Sequence, residues 1–151
     1  MTGITNESEF RQAIKGLDND RQRVLAAKFV EHVLGLSTDR RIADVVRVAA
    51  DSNASSNELA GALHAARASA IDTHTRCGSE GDWQEQAGYF VARAAVSAVT
   101  PESQLAGASS ALQAAMSSRM AQTCQSIAAA DDMAVQEAQD QYRILSEYIA
   151  S

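Results

Sequence analysis

Apolar residues recur along the chain at intervals of three and four, which is the spacing of one face of an α-helix. The clearest series lies close to the end of the chain and comprises Val135, Ala138, Tyr142, Leu145 and Ile149. No stretch shows the sustained period-two alternation that is typical of a strand. Because the breaks between these series are short, the pattern predicts an all-α fold with about six to seven antiparallel helices. These helices would form either a bundle or a stack of helical hairpins.

Polar and glycine-containing breaks divide the apolar pattern into helices. They fall near Asp18, Gly35, Ser52, Gly78, Pro101 and Asp131. No stretch rich in Pro, Gly and Ser is long enough to separate two domains. We therefore expect residues 1–151 to form a single helical domain.

Several breaks contain residues that are typical of helix ends. Two pairs have the spacing of a capping box, namely Asn6 with Glu9 and Ser55 with Glu58. The candidate N-caps of the second, third and fifth helices are Asp18 or Asn19, Ser37 or Thr38, and Asp82. Gly35 is expected to end the second helix in the left-handed conformation.

One long helix is predicted between Pro101 and Ala130, with Thr100 as its N-cap and Ile127 on its inward face. Gly107 lies inside this helix, as Gly61 and Gly88 lie inside two others. A glycine in a helix interior costs about 1 kcal/mol relative to alanine. Such a glycine is either tolerated at that cost or allows two helices to cross closely.

The composition and charge narrow the classes of partner. Hydrophobic residues make up 46% of the 151 residues and aromatic residues only 5%, so that alanine supplies much of the apolar share. The net charge is −6. An acidic chain is a poor nonspecific binder of nucleic acid, which requires neutralisation of phosphates. The charge instead suits a basic protein partner.

The chain is expected to reside in the cytoplasm without contact to a membrane. Its first residues, Met1–Glu7, are polar and do not resemble a signal peptide. No apolar run approaches the roughly 18–20 residues of a membrane span. The two cysteines, Cys77 and Cys124, are fewer than a secreted disulfide scaffold would contain. We expect both to be free thiols.

The residues from His74 to Asp82 contain the best candidates for chemistry. His74 and Cys77 lie three residues apart, on the same side of a helix, and both are potential zinc ligands that Asp72, Glu80 or Asp82 could supplement. The pair could alternatively be a base and a thiol nucleophile. The simpler interpretation is a polar helix end, where cations are favoured. We therefore assign no catalytic residue and no cofactor.

The remaining histidines, His32 and His64, stand beside apolar faces. Such histidines are usually half-buried and hydrogen-bonded. The single tryptophan, Trp83, either packs against the helix start or forms an exposed anchor for a partner. In the second case Glu85 and Tyr89 would border the same partner-binding surface.

Four segments follow one another in an order that resembles a known family. They are Phe29–Leu34 (FVEHVL), Thr38–Ala43 (TDRRIA), Leu63–Ala68 (LHAARA) and Gly88–Ala95 (GYFVARAA). The succession of an E-x-V-L helix, a D-x-R helix start and alanine-rich helices is similar to the all-helical immunity proteins of bacterial polymorphic toxin systems. The resemblance extends from about Val24 to Met120.

The resemblance implies a small binding protein that neutralises a toxin and has no catalytic residues. Gly35 stands where that family usually has proline, and the helix Gly88–Val99 lacks the usual histidine. The first hypothesis is thus a non-enzymatic protein-binding domain, an immunity protein. The alternatives are a bundle that binds a small molecule or metal, or catalyses a reaction, through His74–Asp82, and a structural subunit that self-assembles.

Overall fold

The computed structural model describes residues 3–77, 83–129 and 134–151, and within these ranges it contains eight α-helices and no strand. The helices are α1 (Glu7–Lys15), α2 (Asn19–Val33), α3 (Arg40–Ala50), α4 (Ser56–Cys77), α5 (Trp83–Val99), α6 (Glu102–Leu105), α7 (Ser110–Ala129) and α8 (Ala134–Ala150). A 3₁₀ turn, Leu34–Leu36, joins α2 to α3. The predicted all-α helical bundle is confirmed, with one helix more than the upper estimate.

Two of the predicted helix starts are confirmed. The side chain of Asp18 accepts a hydrogen bond from the Arg21 amide at 2.8 Å and so caps α2. Ser55 and Glu58 form a complete capping box before α4, because each side chain accepts from the other residue's backbone amide at 3.1 Å. The proposed cap Asp82 and the break near Asp131 lie outside the described residues.

Two other starts differ in detail from the prediction. Asn6 accepts from the Glu9 amide at 2.9 Å, but the Glu9 carboxylate accepts from the amide and hydroxyl of Thr5 rather than from Asn6. The predicted caps Ser37 and Thr38 are wrong for α3. Asp39 caps this helix by accepting from the Arg41 amide at 3.0 Å.

The predicted long helix after Pro101 is wrong, because the chain breaks at Ala106 and Gly107. Both residues have positive φ, 52° and 84°, which ends α6 after one turn. Ser109 then caps α7 by accepting from the Leu112 amide at 3.0 Å. Thr100 caps nothing, since its hydroxyl donates back to the Val96 carbonyl at the end of α5.

Gly35 is not the left-handed cap that its position suggested. It lies within the 3₁₀ turn, and the described residues with φ in the left-handed region are Ala106 and Gly107. The turn continues the direction of α2 and delays the reversal until Ser37, whose backbone is extended. As a result, the turn and the start of α3 lie against α4 and α5.

Small side chains form the centre of the bundle. Helices α5 and α7 make the most extensive helix pair. Their buried faces carry mainly Ala, Gly, Ser and Val, including Ala92, Ala95, Ala114 and Ser118. Side chains of this size let two helix axes approach closely. Within the described ranges, no helix combines the length and the apolarity that a membrane span requires.

The two helical glycines differ in their surroundings. Gly88 is buried, and a Cβ atom there would lie 3.6 Å from the Leu36 carbonyl oxygen and 3.8 Å from Thr73 Cγ2. Gly61 is exposed, with no atom within 4 Å of such a Cβ. Distances of 3.6 and 3.8 Å are ordinary van der Waals contacts, so neither position requires glycine: Gly88 lies at a packed crossing and Gly61 on the surface.

Aromatic side chains fill the other side of the core, between α1, α2 and α8. The ring of Phe10 lies 5.8 Å from that of Phe29 and 5.3 Å from that of Tyr142. The Arg119 guanidinium stacks over Phe10 at 5.2 Å. These few large residues hold the two terminal helices against the bundle.

The apolar stripes do not fully match the buried faces. Ile127, Val135 and Ile149 were expected to face inward, but they are 49%, 61% and 43% exposed. Glu137 and Gln141 are buried in their place. These two residues and Leu145 follow at intervals of four, so α8 turns a partly polar stripe toward α2 and α7.

Candidate functional site

A cleft of about 490 Å³ opens where the 3₁₀ turn and the start of α3 meet α4, α5 and α7. We call it the α5 cleft. Its side chains are mostly hydroxyls, amides and carboxylates. The lining residues are Gly35, Leu36, Ser37, Thr38, Asp39, Thr73, Gln84, Glu85, Gly88 and Gln125. The cleft thus brings together residues from distant parts of the sequence.

The carboxylate of Asp39 forms a rigid wall of the cleft. It accepts two hydrogen bonds from Arg41 Nε and one from Arg41 Nη2, and a further one from the Ser69 hydroxyl at 2.6 Å. The Arg41 hydrogen bonds are the largest of the effects that hold the pKa of Asp39 well below its usual range. The same guanidinium also reaches Asp72 at 2.9 Å. Arg41 therefore compensates the charge of Asp39.

Glu85 is the contrasting carboxylate of the α5 cleft. It is half-buried at the start of α5, and it makes no ion pair or hydrogen bond with other described residues. A partly buried charge without a partner is unfavourable relative to a paired one. Among the described residues of the cleft, Glu85 is therefore the carboxylate that no basic side chain compensates.

Trp83 is the first residue of α5, and 41% of its surface is exposed. This exposure favours the anchor alternative over packing. Three further exposed apolar residues, Ile71, Ile127 and Val135, lie on α4, near the end of α7 and at the start of α8. Since Thr73, Gln84 and Gln125 line one cleft, the last turns of α4 and α7 and the start of α5 lie at the same end of the bundle. We call these four residues the Trp83 end.

Tyr89 and Glu85 lie on the same side of α5 because they are four residues apart. Trp83 lies two residues before Glu85, and about 200° away around the helix. The Tyr89 ring is half-buried and packs against His74, with 5.1 Å between the ring centroids. The three predicted partner-binding residues thus belong to the first two turns of α5. Glu85 and Tyr89 share one side of this helix, and Trp83 lies on the other.

The metal and catalytic hypotheses both combine His74 with residues that follow it in the chain. The Cys77 side chain, Glu80 and Asp82 lie outside the described residues. Within the described part, no group of three or more His, Cys, Asp or Glu residues is placed to hold a metal ion. The contact between His74 and Tyr89 is the observed role of this histidine.

Sequence reasoning missed a buried polar network around Glu137. The side chain of Glu137 has no exposed surface, and His32 Nδ1 lies 3.0 Å from each of its oxygens. Gln122 and Gln141 donate to the same carboxylate at 3.2 and 3.3 Å. His32 Nε2 also faces Asp140 at 3.5 Å. The regular spacing of Glu137, Gln141 and Leu145 was the available signal.

The network continues from α8 across α7 to α1. The Arg119 Nε donates to Gln141 at 2.8 Å, and its other nitrogens bind the carboxylate of Glu7. Gln141 also donates to the Ala115 carbonyl at 3.0 Å. Because its members bind one another, this network joins four helices and we assign it a structural role.

Glu137 is expected to give the protein a specific pH dependence. Burial raises the pKa of its carboxyl above the ordinary 4.5, against the opposing charge of His32 and hydrogen bonds from Gln122, His32 and Gln141. The folded state then binds this proton more tightly than the unfolded chain. Its contribution to the free energy of unfolding is therefore greatest below pH 4.5 and is lost as the pH rises through the folded-state pKa.

Replacement of Glu137 by glutamine should remove this loss of stability. The free energy of unfolding should then change less with pH above pH 4.5. Urea unfolding of wild type and Glu137→Gln between about pH 4 and pH 8 measures the profile. Glu147→Gln is the control, since Glu147 is an exposed acid on the same helix. Parallel profiles for wild type and Glu137→Gln would contradict the expected role of burial.

A larger groove of about 1400 Å³ lies between α1, α5 and α7. Its walls include Arg11, Lys15 and Arg93. This volume exceeds the roughly 300–1,000 Å³ of typical small-molecule sites, and the groove is open along its length. None of the residues predicted from sequence to bind a partner or metal lines it. The smaller α5 cleft is therefore the better candidate.

No family model matches this chain, and neither curated proteins nor solved structures give a match. No family is therefore assigned on this ground. The α5 cleft, the Trp83 end and the motifs quoted above are the basis for any functional inference.

Proposed function

We propose that this protein is a non-enzymatic, protein-binding domain, and that its partner is a toxin which it neutralises. The observation that carries the proposal is the exposed Trp83 beside a cleft with an uncompensated carboxylate. Tryptophan is among the residues most enriched at the centres of protein interfaces. An exposed apolar end next to polar groups has the composition of an interface core and its rim.

The charge supports a basic partner. The chain has a net charge of −6, so its field attracts a positively charged protein and accelerates encounter. Within the α5 cleft the uncompensated group is likewise negative, namely Glu85. A toxin with a basic contact surface satisfies both conditions.

The resemblance to immunity proteins supports the choice of a toxin. Asp39, the first residue of the D-x-R motif of that resemblance, lines the α5 cleft, and Arg41, its last residue, binds the Asp39 carboxylate. The motif thus coincides with the candidate site. We further propose that the complex forms in the cytoplasm, since a chain with only two cysteines suits a reducing environment.

Coexpression with a toxin tests this function. The candidate is a toxin encoded by a gene next to the one for this chain, expressed at a level that stops growth. We expect wild-type protein to restore growth and Trp83→Ala to restore it less well at equal abundance. Ile149→Ala is the matched control, because Ile149 is similarly exposed at 43% but lies roughly 20 Å from Val135 along α8.

Failure to restore growth with every neighbouring toxin, at full abundance of folded protein, would contradict the proposal. The apolar Trp83 end could alternatively bind a second copy of the chain. Sedimentation of the purified protein separates these cases. A monomer is expected, whereas a stable dimer that protects Trp83 would favour self-assembly.

A further inference from the structure

The α5 cleft has the chemistry of a cation-binding site. Among its described lining residues the carboxylates are Asp39 and Glu85, and none is a lysine or an arginine. The adjacent Arg41 is bound to Asp39 and Asp72 and so is not available to Glu85. None of the described contacts compensates the negative charge of Glu85.

The size and the charge of the cleft restrict the kind of cation that it can bind. Its volume of about 490 Å³ accommodates one side chain or a small molecule, but not a helix. A calcium ion requires six to eight oxygen ligands, usually with several carboxylates. A single free carboxylate among hydroxyls and amides instead suits a monovalent organic cation with several N–H donors.

Guanidinium meets these conditions better than ammonium. Its five N–H donors form a planar fork that can pair with a carboxylate and simultaneously reach neighbouring hydroxyl and amide oxygens. Such oxygens line the same cleft as Glu85, from Ser37 and Thr38 of the connection to α3 and from Gln125 of α7. Lysine would provide one compact, strongly hydrated charge.

We propose that the α5 cleft binds one arginine side chain of the protein partner, with Glu85 as the carboxylate that pairs with its guanidinium. This inference rests on the proposed function and specifies how the partner is recognised. Trp83 and the neighbouring apolar residues then contact the surface around that arginine. Since Glu85 makes no described internal contact, its pairing can change partner binding without changing the fold.

A Gly-Arg-Gly tripeptide with blocked termini tests the cleft in the absence of the toxin. Backbone amide shifts of Gly88, Thr73 and Glu85 in NMR spectra report binding at this place. We expect the tripeptide to shift these signals at about tenfold lower concentration than the same tripeptide with citrulline, which keeps the shape but lacks the charge. A lysine tripeptide should fall between the two.

The variant Glu85→Gln should reduce the response to the arginine tripeptide about tenfold, to the level seen with citrulline. Glu147→Gln is the matched control, because Glu147 also lines a cleft but on α8. Thermal unfolding should be the same for both variants and wild type. Equal responses to arginine and citrulline, or a full response in Glu85→Gln, would overturn the proposal.

The same variants separate this inference from the proposed function. If the toxin binds Glu85→Gln and wild type equally well, the function stands and the arginine site is wrong. If the tripeptide binds through Glu85 but no toxin does, the site stands and the function is wrong. Loss of both toxin and tripeptide binding in Glu85→Gln is the result expected from the two proposals together.

Discussion

Replacement of Phe10 by alanine is expected to lower the free energy of unfolding by about 3–5 kcal/mol. The Phe10 side chain has no exposed surface and contacts the rings of Phe29 and Tyr142. It also lies under the Arg119 guanidinium, so its loss leaves a cavity and removes a cation–π contact. Urea unfolding with linear extrapolation measures the effect.

Met120→Ala is the control for Phe10→Ala. Met120 is 45% exposed on α7, and truncation of a surface residue usually changes stability by no more than about 0.5 kcal/mol. A loss of less than about 1 kcal/mol in Phe10→Ala would contradict the role of the aromatic cluster. In that case α1 would not be held to the bundle by this side chain.

Replacement of Trp83 by alanine is expected to weaken toxin binding at least 30-fold, which corresponds to about 2 kcal/mol or more. Trp83 carries the aromatic ring of the Trp83 end, and a partner that covers it buries the 41% of its surface that is exposed. Titration calorimetry with the purified toxin measures the affinity. Thermal unfolding of Trp83→Ala should remain close to that of wild type.

Ile149→Ala serves as the control in this titration, and its affinity should match that of wild type within about threefold. Equal affinities for Trp83→Ala and wild type would place the interface elsewhere. The open groove lined by Arg11, Lys15 and Arg93 would then be the next surface to examine.

Helix content was predictable from local sequence because apolar spacing and capping residues act over one or two turns. Asp18 and the pair Ser55 and Glu58 behave as their types and spacing predict. The break after α6 was not predictable in this way. It places an alanine, Ala106, in a left-handed conformation that alanine usually avoids, so the residue type at this position argues against a break.

The inward face of α8 shows a second limit of local pattern. Leu145 was correctly placed inside, but the polar residues Glu137 and Gln141 were not part of the predicted apolar face. They are buried since His32, Gln122 and Arg119 from two other helices provide partners. A polar residue can occupy a core when its hydrogen bonds are satisfied there, and such partners are set by the tertiary fold.

The candidate site was predictable only in part. Glu85 and the exposed Trp83 were recognised as candidates from residue type and their position at a helix start. The cleft itself was not predictable, because Asp39, Thr73 and Gln125 come from separate helices and meet only through packing. Cleft geometry depends on contacts between residues far apart in the chain, which a single sequence does not reveal.

The indole emission of wild-type protein during titration with the purified toxin tests the central claim most directly. Trp83 is the single tryptophan of this chain, so a tryptophan-free toxin variant leaves its signal unmixed. We expect a saturable shift of the emission to shorter wavelength at one toxin per chain, with protection from acrylamide quenching. Saturable binding in calorimetry with unchanged emission and unchanged quenching, or no binding at all, would contradict the account.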